Sequence, residues 1–237
     1  VIELLLEKGA DLESKDEEGE TPLHCAVIGG QEAVIELLLE KGADFESKDK
    51  EGRTPLYCAV IERQEVAVKL LLEKGAAFES KDKEGRTPLY CAVIERQEVA
   101  VKLLLEKGAD LESKDYRDLT PLHCAIIGGQ EAVVKQLLQM GADLESKNND
   151  GETSLYWAVM SWDEEIIRLL LEMGADLESK NNDGETSLYW AVMSWDEEII
   201  RLLLEMGADL ESRNNNGETP LSLAAKTGRE DIVKALL

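Results

Sequence analysis

The 237-residue sequence has no apolar run approaching the about 20 residues a membrane-spanning helix needs, and no basic, apolar leader opens it. It also has no initiator Met. These absences lead us to expect an intracellular protein of the cytoplasm, with the nucleus as the alternative. Basic residues are scarce, with 26 Lys plus Arg against 50 Asp plus Glu and a net charge of −24. Such a surface repels phosphate backbones and anionic lipid, so neither nucleic acid nor a membrane is an expected partner. The plain reading of the acidity is solubility. There are two histidines and four cysteines, none of the latter in a C-x-x-C pair. No Gly-rich phosphate loop follows a strand pattern, and no nucleophile elbow is present. What is plentiful is apolar sequence: at 43% hydrophobic residues the chain can bury a core.

That core is periodic. Thr21-Pro22-Leu23 returns as Thr54-Pro55-Leu56, Thr87-Pro88-Leu89, Thr120-Pro121-Leu122, Thr153-Ser154-Leu155, Thr186-Ser187-Leu188 and Thr219-Pro220-Leu221, a spacing of 33 residues. Gly9-Ala10 returns with the same period as far as Gly207-Ala208. Within a unit, Thr21 suits an N-cap and Pro22 the first helical position, which needs no N–H. A short helix is predicted to about Ile28, broken by Gly29-Gly30, and a second begins near Gln31-Glu32. Val34, Leu37 and Leu38 mark its buried stripe, Lys41 sits in its last turn and Gly42 supplies the left-handed cap. A polar finger follows and ends in the turn Asp49 to Gly52.

The pattern resembles the ankyrin repeat, with its T-P-L-H-x-A box followed by L-L-x-x-G-A-D, over the whole chain. His24 and His123 complete the first box; Tyr57, Tyr90, Tyr156, Tyr189 and Ser222 replace that His elsewhere. A weaker resemblance, through Leu-Leu-Glu-Lys-Gly-Ala-Asp-Leu-Glu-Ser-Lys-Asp, is to the near-identical ankyrin arrays of filamentous fungi. The expected fold is an all-α ankyrin-repeat solenoid forming one domain over 1–237. Its units are 1–15 (partial), 16–48, 49–81, 82–114, 115–147, 148–180, 181–213 and 214–237 (truncated). Val1 and Leu237 both fall inside second helices. We therefore expect an internal segment whose bare end faces (Val1, Leu4, Leu5; Ile232, Val233, Leu236, Leu237) fray or associate end to end. Residues 49–81 and 82–114 differ at two positions, Ala77/Asp110 and Phe78/Leu111, and 148–180 and 181–213 only at Lys180/Arg213. Array growth is the economical explanation.

No catalytic site, cofactor, metal or small-molecule substrate is expected. Cys25, Cys58, Cys91 and Cys124 occupy one position in successive units. Layers about 8–10 Å apart exceed the about 7 Å that a disulfide spans, so buried free thiols are expected. They fit a reducing compartment. The resemblance implies that His24 and His123 support the fingers. The family's finger Asn, which can be hydroxylated, is replaced by Glu13, Glu46, Glu79, Glu112, Glu145, Glu178 and Glu211, so that modification is not expected. Glu40, Glu73 and Glu106 read as a solvated face.

By resemblance, such arrays bind protein partners along a concave face of finger tips and first helices. The positions that vary in the family give the candidates here: Lys50, Arg53, Lys83, Arg86, Tyr116 and Arg117 on the fingers. Ile28, Ile61, Ile94, Ile127, Met160 and Met193 recur at one position and form either an apolar stripe or a set of tucked-in side chains. The basic fingers of the second and third full units favour an acidic or mixed-charge partner. Trp162 and Trp195 stand where the family places a loop Gly, as do Arg63 and Arg96. A remodelled loop is one expectation, with the indoles packed on each other; a binding hot spot is the other. Trp157 and Trp190, at the Cys position, read as structural. The leading reading is a protein-recognition module. The alternatives are the sensor arm of a larger enzyme or nucleotide-driven switch, and a designed or amplified array, against which Asp118-Leu119 and Met140 argue.

Overall fold

The computed structural model describes Leu4 and residues 8–237. Its regular structure among these residues is entirely helical, and no helix among them is long and apolar enough to cross a membrane. The chain forms two compact units, Val1–Tyr116 and Arg117–Leu237. The first holds α1 (Pro22–Ile28), α2 (Glu32–Glu40), α3 (Pro55–Ile61), α4 (Glu65–Glu73), α5 (Pro88–Ile94) and α6 (Glu98–Glu106). The second holds α7 (Pro121–Ile127), α8 (Glu131–Gln139), α9 (Ser154–Met160), α10 (Glu164–Glu172), α11 (Ser187–Ser194), α12 (Glu197–Glu205), α13 (Pro220–Thr227) and α14 (Glu230–Leu236).

Short helices begin where the sequence predicts. Thr54 and Thr87 are extended N-caps whose hydroxyls accept the N–H of Tyr57 and Tyr90 at 3.3 Å. Thr153 makes no such bond. The second helices end one residue earlier than expected, so Lys41 is the C-cap rather than part of the last turn. Gly42, at φ 88°, then lets its own N–H reach Leu39 O at 3.1 Å and that of Ala43 reach Leu38 O at 3.0 Å. These paired bonds close the helix, and a Cβ would strain that backbone.

Helices stack in two rows within each unit. The short helices α1, α3 and α5 pack in sequence in the first unit, as do α7, α9, α11 and α13 in the second. Longer helices form the other row, α2 on α4 on α6, with α8 on α10 and α12 on α14. The core lies between the rows. Leu71 and Leu104, then Leu137, Leu170 and Leu203, are fully buried at one repeated position. Val68 and Val101, then Val134, Ile167 and Ile200, fill the position three residues earlier. Each such side chain stabilises the stack by roughly 1.5–3 kcal/mol. The predicted stripe is therefore corrected in α2: Ile35 and Leu38 are buried, whereas Val34 and Leu37 are half-buried. Leu38 is buried as expected and Ile35, three residues earlier, shares its face, while Val34 and Leu37 lie one residue round the helix from it.

The expected bare end faces also change. Ile232 and Leu236 are buried, because α14 turns them back onto the stack that includes α12. Leu237 and Leu4 are exposed, while Val1 and Leu5 lie outside the described residues.

Candidate protein-binding surface

The fingers are built by their own side chains. Asp49 Oδ1 accepts the N–H groups of Glu51 and Arg53, both at 2.8 Å, and Gly52 N donates to Asp49 O at 3.1 Å. Asn148, Asn181 and Asn214 fold the later turns in the same way. Each finger is then tied to the one before it. In the first unit the N–H groups of Lys50, Lys83 and Tyr116 donate to the carbonyls of Glu18, Glu51 and Glu84. In the second, Asn149, Asn182 and Asn215 donate to Arg117, Asp150 and Asp183.

Two side-chain ladders reinforce these ties. Glu13, Glu46 and Glu79 accept the N–H of Asp44, Ala77 and Asp110 at 2.7–2.8 Å. Glu145 and Glu178 do the same for Asp176 and Asp209. Lys15 and Lys180 donate to the carbonyls of Lys48 and Arg213 at 2.8 Å. The sequence marks the glutamates only as positions lacking Asn. Their bond to the next unit is a charged acceptor on a backbone donor, one of the stronger kinds of hydrogen bond.

His24 performs the role that the resemblance implies. Its Nε2 lies 3.1 Å from Arg53 O and its Nδ1 2.9 Å from Thr21 Oγ1. Tyrosine at the same position reaches the next finger differently, through its hydroxyl: Tyr57 donates to Asp82 Oδ2 at 2.5 Å and Tyr90 to Asp115 Oδ2 at 2.7 Å. Burial would raise the Asp82 carboxyl, but bonds from Tyr57 and Arg86 outweigh it and hold the group below the ordinary range. Burial also lowers the pKa of His24, against the opposing pull of the Arg53 carbonyl and of Asp49 and Glu20. A depressed histidine pKa means that folding favours the neutral ring. That stabilisation is complete above about pH 6.5, the unfolded value, and is lost as pH falls from there through the folded value. We expect urea midpoints of the wild type to fall relative to those of His24→Tyr on acidification below pH 6.5. Parallel curves would show that the ring titrates normally.

The basic candidates divide. Arg53 Nε donates to Asp49 Oδ2 at 2.6 Å, and Arg86 pairs with Asp82 at 2.7 Å and Glu84 at 3.2 Å. Both arginines are therefore braces of their own fingers. Lys50 and Lys83 project into solvent, with Lys83 Nζ 3.7 Å from Glu51. Tyr116 and Arg117 are exposed at a finger tip.

The recurring apolar position is half-buried at Ile28 and Ile61 and more open further along. Ile94 and Ile127 are 44% exposed, Met160 37% and Met193 38%. Trp162 is 62% and Trp195 53% exposed, which overturns the expectation of mutually packed indoles. The loop is not remodelled either. Trp162 (φ 55°) and Trp195 (φ 64°) adopt the left-handed backbone of Gly30 (φ 63°) and Gly129 (φ 60°), as do Arg63 and Arg96. The conformation aims each ring outward. Trp157 and Trp190 are half-buried, and the Trp190 ring lies edge-on to Tyr156 at 5.1 Å. The sequence also gave no prominence to exposed Met140, Met173 and Met206, which sit where Lys41, Lys74 and Lys107 stand in the first unit.

The cysteines are free. Cys58, Cys91 and Cys124 are buried as expected, but Cys25 is exposed. Cys91 faces the preceding short helix, where its Sγ donates to Tyr57 Oη at 2.9 Å. Asp16, Glu20 and Cys25 each bring one ligand atom within 4.8 Å of the others, the one such group among the described residues, and two of the three are exposed.

Known proteins match this architecture. A family model described as ankyrin repeats (3 copies) matches residues 1–49, 43–115, 114–181 and 173–237. The crystal structure of the ankyrin repeat domain of Bcl-3, described as a unique member of the IkappaB protein family, is 30% identical, with a TM-score of 0.84, over 93% of this chain and 99% of that one. The human ASB11 ankyrin repeat domain is 28% identical, with a TM-score of 0.76, over 92% and 96%. No curated protein sequence matches. With the family model spanning the chain and the same helix pairs and fingers in place, the protein belongs to the ankyrin-repeat family.

Proposed function

We propose that the chain is a protein-recognition module that takes its partner along the finger tips and the ends of the short helices, without chemistry of its own. The observation that carries this reading is that each unit leaves apolar side chains exposed at one repeated position. Ile94 in the first unit, and Ile127, Met160 and Met193 in the second, stay open to solvent while their neighbours Val93, Ile126, Val159 and Val192 are buried. Repeated apolar exposure beside a rigid scaffold is the signature of a contact surface. Lys50 and Lys83 add positive charge at the fingers of the first unit, which suits an acidic or mixed-charge segment there.

Placing charge on these positions tests this. A variant carrying Ile94→Glu, Met160→Glu and Met193→Glu alters solvent-facing atoms and is expected to keep its helicity. It should lose its captured protein partners by at least about tenfold in affinity. Val66→Glu with Val99→Glu, on exposed positions of α4 and α6, should lose none. Partners retained by the first variant and lost by the second would move the binding face to the longer helices. Lys50→Glu with Lys83→Glu tests the charge preference without disturbing the Arg53 and Arg86 braces.

A further inference from the structure

Trp195 already carries a cation. The Arg229 guanidinium carbon lies 5.1 Å from the centroid of its ring. Asp231 grips the same guanidinium, accepting from Nε at 3.0 Å and from Nη2 at 2.6 Å. An indole face against a guanidinium held by a two-pronged carboxylate combines cation–π attraction with charge-assisted hydrogen bonding.

The 33-residue period places the same two groups one unit earlier. Trp162 precedes Trp195 by one period, and Glu198 precedes Asp231. Both line one open cleft of about 720 Å³, with Trp195, Asp196, Glu197 and Arg201. What differs is the cation. One period before Arg229 stands Asp196, whose Oδ1 accepts the Ile199 N–H at 3.0 Å and so caps α12. The arginine that lines the cleft, Arg201, has its guanidinium on Glu197 Oε1, at 3.0 and 2.5 Å, rather than on Glu198. The cleft thus has the aromatic face and the carboxylate but not the guanidinium that completes the arrangement over Trp195.

We propose that the Trp162–Trp195 cleft is a subsite for an arginine side chain of a basic segment in a partner protein, stacked on Trp162 and paired with Glu198. This rests on the reading of the chain as a protein-recognition module. Charge supports it: Asp196, Glu197 and Glu198 face one arginine, on a chain of net charge −24. Backbone conformation supports it as well, since Trp162 holds φ 55° at a position where other units use Gly and the residue is 62% exposed. Arginine is favoured over lysine because a planar guanidinium stacks on an indole and forks onto a carboxylate at once.

The test uses the full 237-residue chain with ¹⁵N-labelled tryptophan and three blocked peptides: Gly-Arg-Gly-Arg-Gly, its lysine counterpart, and its counterpart with neutral citrulline for arginine. The arginine peptide is expected to move the indole N–H signals of Trp162 and Trp195 and leave those of Trp157 and Trp190 in place. Its affinity should exceed that of the citrulline peptide by at least about tenfold and that of the lysine peptide by several-fold. Trp162→Gly should weaken it to a similar extent and Glu198→Gln several-fold; the glycine variant keeps the fold, because Gly30 and Gly129 hold the same backbone. Equal binding of the arginine and citrulline peptides overturns the proposal, as does indifference to Trp162→Gly. So does movement of the Trp162 signal with protein concentration alone, which would seat a second copy in the cleft. If the arginine peptide fails while glutamate at Ile94, Met160 and Met193 still abolishes capture, the subsite is wrong and the wider reading stands. If those glutamates lose nothing, the wider reading fails.

Discussion

Replacing Leu104 by alanine will lower the unfolding free energy by about 2–5 kcal/mol, the range for a fully buried leucine whose surroundings relax only in part. Leu104 is fully buried on α6, at the position that Leu71 fills in the adjoining helix α4. Its carbonyl also accepts the Ala109 N–H at 3.1 Å in the bond that closes the helix. The side chain is thus enclosed, on a helix whose end is closed by that bond, and little can move to fill the gap. The contrast lies on the same helix. Val99 is exposed, and its replacement by alanine should stay within about 0.5 kcal/mol of the wild type. Urea denaturation of the two variants checks this. Equal losses would mean that α6 does not present Leu104 to the core.

Native protein treated with a thiol reagent will release one equivalent quickly and three more only on unfolding. Cys25 is exposed; Cys58, Cys91 and Cys124 are not. Burial pushes the Cys58 thiol up to about 12 and the Cys91 thiol up to about 11, so they lack both access and thiolate. They react only when their helices open, and the two phases should differ in rate by more than about a hundredfold. Cys25 will itself be slower than a free thiol, since partial burial and then Glu20 and Asp16 raise its pKa. Cys25→Ser should abolish the fast phase and leave the slow one. Two or more fast thiols would contradict the burial of Cys58, Cys91 and Cys124.

Much of this architecture is legible in the chain because its causes are local. A Thr-Pro or Thr-Ser pair starts a short helix, a Gly with positive φ follows a longer one, and Asp or Asn three residues before a Gly turns the finger, with Asp118 (φ 59°) in place of that Gly in one unit; these signals recur every 33 residues and the structure places them where they recur. What is not legible is the contact made between units. Arg53 and Arg86 look like free cations in the sequence, yet each meets a carboxylate four residues back once the turn has formed. Glu46 looks inert until stacking brings the Ala77 N–H to it. Tyr57 departs from the histidine pattern, but its longer side chain reaches the carboxylate of the next finger rather than a carbonyl. Trp162 and Trp195 invite burial on hydrophobicity alone; the left-handed backbone decides otherwise by turning them outward.

The central claim is that protein partners meet the short-helix ends and fingers rather than the longer helices. Site-specific photo-crosslinking tests it most directly. A photoreactive residue placed singly at Ile94, Ile127 or Met160 should yield crosslinked partner, and one placed at Glu40, Glu73 or Glu106, exposed on the longer helices, should yield little. Crosslinks arising only from the second set would contradict the account.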